Sequence, residues 1–582
     1  MMGVEMADTS QTTGGLMGPD DSVASHFDFE GTNKVRSEAT RGRIRLAILV
    51  FTCCFAVMTG RLVMLGFDSP EPEAQRNSAQ EAMAAARPDL LDRNGEILAT
   101  DIKTASIFAE PRRIVDVDEA VDAILSVFPD IDGERLRKRL AGKGKFTWIK
   151  REVTPRQQQA MHEAGIPGIG FLSENRRFYP AGPTASHIVG LVNVDNEGIA
   201  GMEKYVDQSG LSVLHDLGFA RDSNQEPVQL SIDLRAQHVL RDELGKSMTK
   251  FKAIAASGIV MNVNTGEVIA MASLPDFDPN DPKDVNKPDR LNRITAGVYE
   301  MGSVFKTITT AMALDSGKVR MRDSFDATQP IRVRGGTISD FHAKKRILSV
   351  PEVFIYSSNI GTAKMALKIG KEEHKNFLKR ANLLDRLQTE LPEARTPSFP
   401  KRWTDLSTMT ISYGHGLTVA PIQVAATAAA LVNGGKYIKP TFLKRSREEA
   451  RKIAQPLVSD ETSASMRYLM RLNTLKGSGK RSKVDGYLVG GKTGTAEKVE
   501  NGRYSKDKVF NSYLSAFPMD KPEYVVLVML DEPKGLKETY GYATAGVNAA
   551  PLAGNVIRRI GSMLGVSPRF GQKIVPTVAA SF

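Results

Sequence analysis

The sequence predicts an α+β protein carried on a single N-terminal transmembrane helix, and three observations predict it. Apolar, β-rich runs stand at both ends of the C-terminal half, at residues 257–273 and again at 511–517 and 524–530. Long helical patterns occupy the interval between them, so the sheet must be assembled from distant segments. One apolar stretch near the N-terminus, Leu46 to Gly60, carries no charged residue.

A chain of 582 residues exceeds one ordinary hydrophobic core and divides into domains. Residues 1–43 begin polar, Gly-rich and acidic, without apolar periodicity, and read as a disordered cytoplasmic tail. The apolar run resumes after Arg61 as Leu62-Val63-Met64-Leu65-Gly66-Phe67, so residues 44–66 suffice to cross a bilayer with one snorkelling arginine. Lys34, Arg36, Arg41, Arg43 and Arg45 precede the run against Glu38 alone, and Asp68, Glu71 and Glu73 follow it. That bias keeps the N-terminus in the cytoplasm and the bulk of the chain outside. A cleaved signal peptide and a buried core helix are the competing readings, but a signal peptide rarely starts this late.

Residues 67–228 read as a linker followed by an irregular, extended module in which short strand-like and helix-like pieces mix. From residue 229 to 566 the elements become dense. Ser257 to Ser273 forms two runs around Asn264-Thr265-Gly266, a hairpin signal. Val304–Leu314 and Thr418–Leu431 read as helices, and residues 567–582 as a loose tail.

The formal net charge is +11, yet the cations are spread along the chain with no aromatic-interleaved stripe. Nucleic acid is therefore disfavoured, and a membrane or wall polyanion suits the charge better. The two cysteines, Cys53 and Cys54, are adjacent inside the apolar run and cannot bridge across a fold. Cysteine-based zinc sites and a catalytic thiol drop out, and no metal or cofactor constellation emerges.

Three short patterns stand in order: Ser303-Val304-Phe305-Lys306, Ser357-Ser358-Asn359 and Lys492-Thr493-Gly494. Ser303 and Lys306 are three apart at a helix start and share a face. Burial and a second cation can hold such a lysine neutral, able to take the hydroxyl proton. Alone, this pattern usually marks a solvated helix start. Ser357 and Asn359 lie toward the same side if the backbone is extended, and offer a proton relay and an amide for a peptide group. In isolation they are most often an ordinary loop. Lys492 and Thr493, with Gly494 and Thr495, follow Tyr487-Leu488-Val489-Gly490-Gly491, which reads as a strand. A cation and hydroxyl on an edge strand suit a substrate carboxylate and can pair with an extended peptide, although lysine also protects ordinary edges.

Taken together, the three patterns resemble the penicillin-recognising serine acyltransferases, whose motifs are Ser-x-x-Lys, Ser-x-Asn and Lys-Thr-Gly. Asn292-Arg293 through Tyr299-Glu300-Met301-Gly302-Ser303, and Tyr413-Gly414-His415-Gly416 with Pro421-Ile422-Gln423, extend the resemblance. Upstream, Asp92-Arg93-Asn94-Gly95 with Leu98-Ala99, Arg177-Phe178-Tyr179-Pro180, and Gly198 to Glu203 resemble the non-catalytic, dimerisation-type pedestal of class B members. Met301 and Pro88 depart from the family's usual Pro and Gly. Ser357-Ser358-Asn359-Ile360-Gly361 and Gly60-Arg61 look most like the cell-division, FtsI-type members.

The resemblance implies a serine β-lactamase-like transpeptidase domain with a central antiparallel sheet, working on peptidoglycan stem peptides ending in D-Ala-D-Ala and acylated by β-lactams. It implies Ser303 as nucleophile, Lys306 as general base, Ser357 as proton shuttle and Asn359 as substrate contact. Lys492 supplies electrostatics, Thr493 binds the terminal carboxylate, and the N–H groups of Ser303 and Thr495 form the oxyanion hole. It further implies a bacterial inner-membrane location at the division septum beside a multi-span lipid II polymerase and other division proteins.

A D,D-carboxypeptidase or β-lactamase would acylate alike, but no clear extra deacylation base is present. A non-catalytic β-lactam sensor or division scaffold would need more spans or a cytoplasmic effector. Gly477-Ser478-Gly479-Lys480 evokes a phosphate loop but has Thr474 and Arg481 at the required Gly and Ser/Thr positions, leaving a basic loop. No Gly-x-Ser-x-Gly elbow accompanies His415, so a structural role is expected for it.

Overall fold

The computed structural model describes residues 46, 48–61, 87–209, 226–333, 336–500 and 503–570. The chain divides into two compact units, Met1–Gln80 and Glu81–Phe582. In the first, residues 48–61 are helical, with Leu49, Phe51, Phe55 and Val57 exposed. The predicted span 44–66 runs past the described residues at both ends, and among the described residues no helix is long and apolar enough to cross a membrane. The predicted N-terminal tail, most of the linker and residues 571–582 of the C-terminal tail lie outside the described residues.

The second unit opens with β1 (Leu90–Leu91) and β2 (Ile97–Ala109), then α1 (Val117–Val127), α2 (Gly133–Leu140), β3 (Thr147–Val153), α3 (Pro155–Glu163) and β4 (Ile169–Phe178). This region is more regular than its sequence suggests. β2 pairs antiparallel with β4 from Thr100 opposite Phe178 to Ala109 opposite Ile169, and with β3 along its second half. Ile107, Ile124, Phe128, Leu136, Ile149 and Met161 close a core of its own between the strands and the three helices. Each helix has a chemical start. Asp116 and Asp132 accept from backbone N–H groups of α1 and α2, and Thr154 with Gln157 makes a capping box ahead of Pro155.

After α4 (Gly201–Gln208) comes β5 (Val228–Gln229), which pairs parallel with β1 and so ties the two halves of the unit together. Asp92 secures the same junction. Its Oδ1 accepts from Asn94 N and Glu96 N, and its Oδ2 from Leu234 N at the start of the next helix.

The C-terminal half contains α5 (Leu234–Lys250), β6 (Ala255–Asn262), β7 (Val268–Leu274), α6 (Phe305–Asp315), α7 (Val350–Ile355), α8 (Asn359–Ile369), α9 (Pro421–Val432), α10 (Asp460–Lys476), β8 (Gly490–Glu500), β9 (Arg503–Phe517), β10 (Tyr524–Asp531) and α11 (Ala549–Ile560). Its antiparallel sheet runs β8-β9-β10-β6-β7, with the two ends of the sequence half meeting where β10 pairs β6. The predicted hairpin at 257–273 is β6–β7.

β10 shows why the run is continuously apolar. Val525, Leu527 and Met529 enter the core holding α6, α9 and α10, while Val526, Val528 and Leu530 enter the core holding α5 and α11. A strand with period-two side chains buried on both faces has no solvent side to mark. The helix predicted from Thr418 starts instead at Pro421, which occupies its first turn.

Candidate active site

Ser303 sits in a 3-10 turn, Gly302–Val304, at the head of α6. The turn is tightly held. Gly302 adopts φ 51°, its N–H donates to Gly414 O at 3.3 Å, and a Cβ on Gly414 would come within 2.0 Å of Gly302 O. Met301, in place of the usual Pro, is fully buried with φ −84°, close to the angle proline would impose.

One helical turn on, Lys306 is buried at 1% exposure and donates through Nζ to Ser357 O at 2.5 Å, Ser357 Oγ at 3.1 Å and Asn359 Oδ1 at 2.7 Å. Lys492, fully buried on β8, donates through Nζ to the same Ser357 Oγ at 2.9 Å and to Thr493 O at 3.1 Å. The three motifs therefore meet at one hydroxyl.

Two ammonium groups on one hydroxyl in a dry site cannot both keep ordinary basicity. Burial, then the Lys492 charge, pushes Lys306 well below the usual lysine range, with Asp340 opposing. Burial brings Lys492 down to about 7.

Ser357 is not extended. It takes φ 58°, left-handed, in the link between α7 and α8, and this sharp turn points both its hydroxyl and the Asn359 amide at Lys306. Ser358 faces away, accepting from Gly361 N at 2.9 Å as the cap of α8.

β8 is the sheet edge and carries Lys492, Thr493, Gly494 and Thr495 past the Ser303 turn. A Cβ on Gly494 would stand 2.6 Å from Met301 O and 2.5 Å from Ser512 Oγ, so only glycine permits this approach. Thr495 adjoins the turn, with a Cβ on Gly302 falling 3.0 Å from Thr495 O.

Sequence reasoning missed two residues here. Ser478, in the supposed basic loop, shares a hydrogen bond of 2.6 Å with Thr493 Oγ1. Buried Asn473 sets it there, accepting from Ser478 N at 3.2 Å and donating to Gly491 O at 2.8 Å. The signal was a serine flanked by Gly477 and Gly479, where added Cβ atoms would meet Asn473 Oδ1 and the Tyr513 hydroxyl. The second is Asp340, which accepts from Ser358 Oγ at 2.7 Å and Ile360 N at 3.0 Å.

His415 lies 3.8 Å from Glu300, whose carboxylate also accepts from Gly416 N at 2.7 Å and the Tyr504 hydroxyl at 3.3 Å. Burial and the Lys306 charge lower its pKa. The His415 ring packs against those of Tyr413 and Tyr504, at 5.4 and 5.3 Å between centroids. Among the described residues no group of His, Cys, Asp and Glu could hold a metal ion.

A family model for the penicillin-binding protein transpeptidase domain matches residues 256–558, and one for the penicillin-binding protein dimerisation domain matches residues 82–211. The chain is 37% identical to the probable peptidoglycan D,D-transpeptidase FtsI of Caulobacter vibrioides, over 90% of this chain and 89% of that protein. It is 30% identical to the probable peptidoglycan D,D-transpeptidase PenA of Neisseria gonorrhoeae, over 91% and 94%. To the peptidoglycan D,D-transpeptidase FtsI of Escherichia coli it is 29% identical, over 86% and 89%.

Proposed function

The chain belongs to the class B penicillin-binding proteins of the FtsI type, and from that premise we propose that it cross-links septal peptidoglycan through an acyl-enzyme on Ser303. It is a peptidoglycan D,D-transpeptidase, taking stem peptides as substrate and β-lactams as covalent inhibitors. The observation that carries the assignment of roles is the convergence of Lys306 Nζ and Lys492 Nζ on Ser357 Oγ, at 3.1 and 2.9 Å.

In this reading Lys306, neutral, takes the Ser303 hydroxyl proton as Oγ attacks the penultimate D-Ala carbonyl. The N–H groups of Ser303 and Thr495 receive the oxyanion. Collapse breaks the C–N bond, and the proton passes through Ser357 Oγ to the leaving D-Ala amine, forming the Ser303 ester. An acceptor amine then attacks the ester, returns a proton to Ser303 Oγ and leaves a new amide cross-link. Thr493, backed by Ser478, and the Lys492 charge hold the terminal carboxylate, Gly494 lets the strand approach, and Asn359 holds a peptide group.

On the same footing, residues 44–66 anchor the chain in the inner membrane with the N-terminus cytoplasmic. Residues 67–228 form the linker and pedestal, and residues 229–566 the periplasmic transpeptidase domain. Thr52, Cys53, Cys54 and Gly60 are small or weakly polar and suit close approach to a neighbouring helix, for which a multi-span lipid II polymerase of the division machinery is the natural partner.

A muropeptide assay on the full chain with a polymerase supplying glycan tests the function. Cross-linked dimers that vanish on adding a β-lactam are expected. Trimmed tetrapeptides without dimers would make it a carboxypeptidase instead, and neither product would make it a scaffold.

A further inference from the structure

A loop rises directly from the Ser357-Asn359 motif, and its tip takes no part in the chemistry above. Its root is fixed. Ser339 O accepts from Asn359 Nδ2 at 2.8 Å, and Asp340 accepts from Ser358 Oγ and Ile360 N. The amide of Asn359 thus grips Lys306 with its oxygen and this loop with its nitrogen.

Beyond the root come Phe341, His342, Lys344, Lys345 and Arg346. Phe341 is 80% exposed with His342 edge-on at 4.7 Å. Lys344 Nζ stands 4.8 Å over the Tyr356 ring, itself 37% exposed. Arg346 is committed to Glu352 at 2.6 Å, whereas Lys344 and Lys345 have no carboxylate partner among the described residues. Lys345 adopts φ 51°, a left-handed turn uncommon outside glycine, in a loop whose root is pinned at the catalytic motif.

An exposed phenylalanine or a pair of surface lysines is ordinary by itself. Their combination on a loop rooted in the Ser357-Asn359 motif is specific in chemistry. Two cations without a carboxylate partner among the described residues, one of them over the Tyr356 ring, on a loop that also exposes Phe341, match an extended peptide that carries carboxylates between aliphatic stems. Stem peptides are of that class, since a γ-linked glutamyl residue leaves its α-carboxylate free and a diamino acid can leave another.

We propose that the Phe341–Arg346 loop is a subsite for the acidic residues of the donor stem peptide, upstream of the scissile bond. Lys344 and Lys345 meet the carboxylates, and Phe341 and Tyr356 pack on the aliphatic parts. The proposal rests on the D,D-transpeptidase reading and names what that site selects.

The test compares two synthetic pentapeptide donors ending in D-Ala-D-Ala, one with free side carboxylates and one with them amidated, by D-Ala release from the full chain in detergent. The wild type should use the acidic donor with a kcat/KM about five- to twenty-fold higher at low salt, chiefly through KM, with the preference collapsing in high salt. The Lys344→Gln/Lys345→Gln variant should bring the ratio to about one, with fluorescent penicillin labelling reporting that its site is folded. Equal use of both donors by the wild type, or an unchanged ratio in the variant, overturns the subsite. A wild type acylated by neither donor nor penicillin would defeat the enzyme reading beneath it.

Discussion

Replacing Arg177 by alanine should unfold the pedestal first, and the cost can be worked from its contacts. Its side chain is 1% exposed, with Nε 2.7 Å from Glu203 Oε1, Nη1 3.1 Å from Asp101 Oδ1 and Nη2 donating to Pro88 O at 2.8 Å. Glu203 is fully buried, and in the variant Arg87, 3.0 Å away, would be the one cation among the described residues left paired with it. Losing one partner of a buried ion pair costs about 3–5 kcal/mol, because the carboxylates stay buried while their compensation leaves. At the lower figure, a unit of this size should lose ~6–12 °C in melting temperature. The chain's two tryptophans, Trp148 and Trp403, fall one in each half, so fluorescence melting in a Trp403→Phe background follows the pedestal alone. A shift below about 2 °C would refute the reasoning that this buried network contributes several kcal/mol to the pedestal.

Lys306→Ala should slow penicillin acylation about 10²- to 10⁴-fold in stopped-flow labelling, with the protein still folded. With the neutral Lys306 amine as the proposed base, wild-type acylation should rise as pH climbs through its depressed pKa and then level, and the variant should lose that limb. His374, buried with both ring nitrogens unpartnered, has its pKa lowered by burial from 6.5 to about 4. Between those values the unfolded chain binds the proton and the folded one does not. Stability should therefore fall by roughly 3 kcal/mol as pH drops from 6.5 to 4 and then flatten, and urea titrations of His374→Phe should lack most of that slope.

How far the sequence could be read depended on whether a residue's role was local or made by tertiary contact. The run Tyr524 to Leu530 declared itself because both of its faces are buried, and the 257–273 hairpin because its turn residues lie between two such runs. β2 did not, since Asp101 and Lys103 interrupt it where one face meets solvent or an ion pair. The three motifs were legible as spacings, but their meeting point was not. Ser357 needed a left-handed backbone that no neighbouring glycine announces. Ser478 and Asp340 act only through Thr493 and Ser358, each supplied by a different segment, so the glycines flanking Ser478 were its local signal and Asp340 had none.

The central claim is that Ser303 is the acylated nucleophile. Intact-mass measurement of the full chain after incubation with benzylpenicillin, followed by peptide mapping, tests it most directly. One penicilloyl adduct on the peptide containing Ser303 is expected, absent in Ser303→Ala while that variant melts like the wild type. An adduct of the same mass persisting in Ser303→Ala, or mapping to Ser357, would contradict the account.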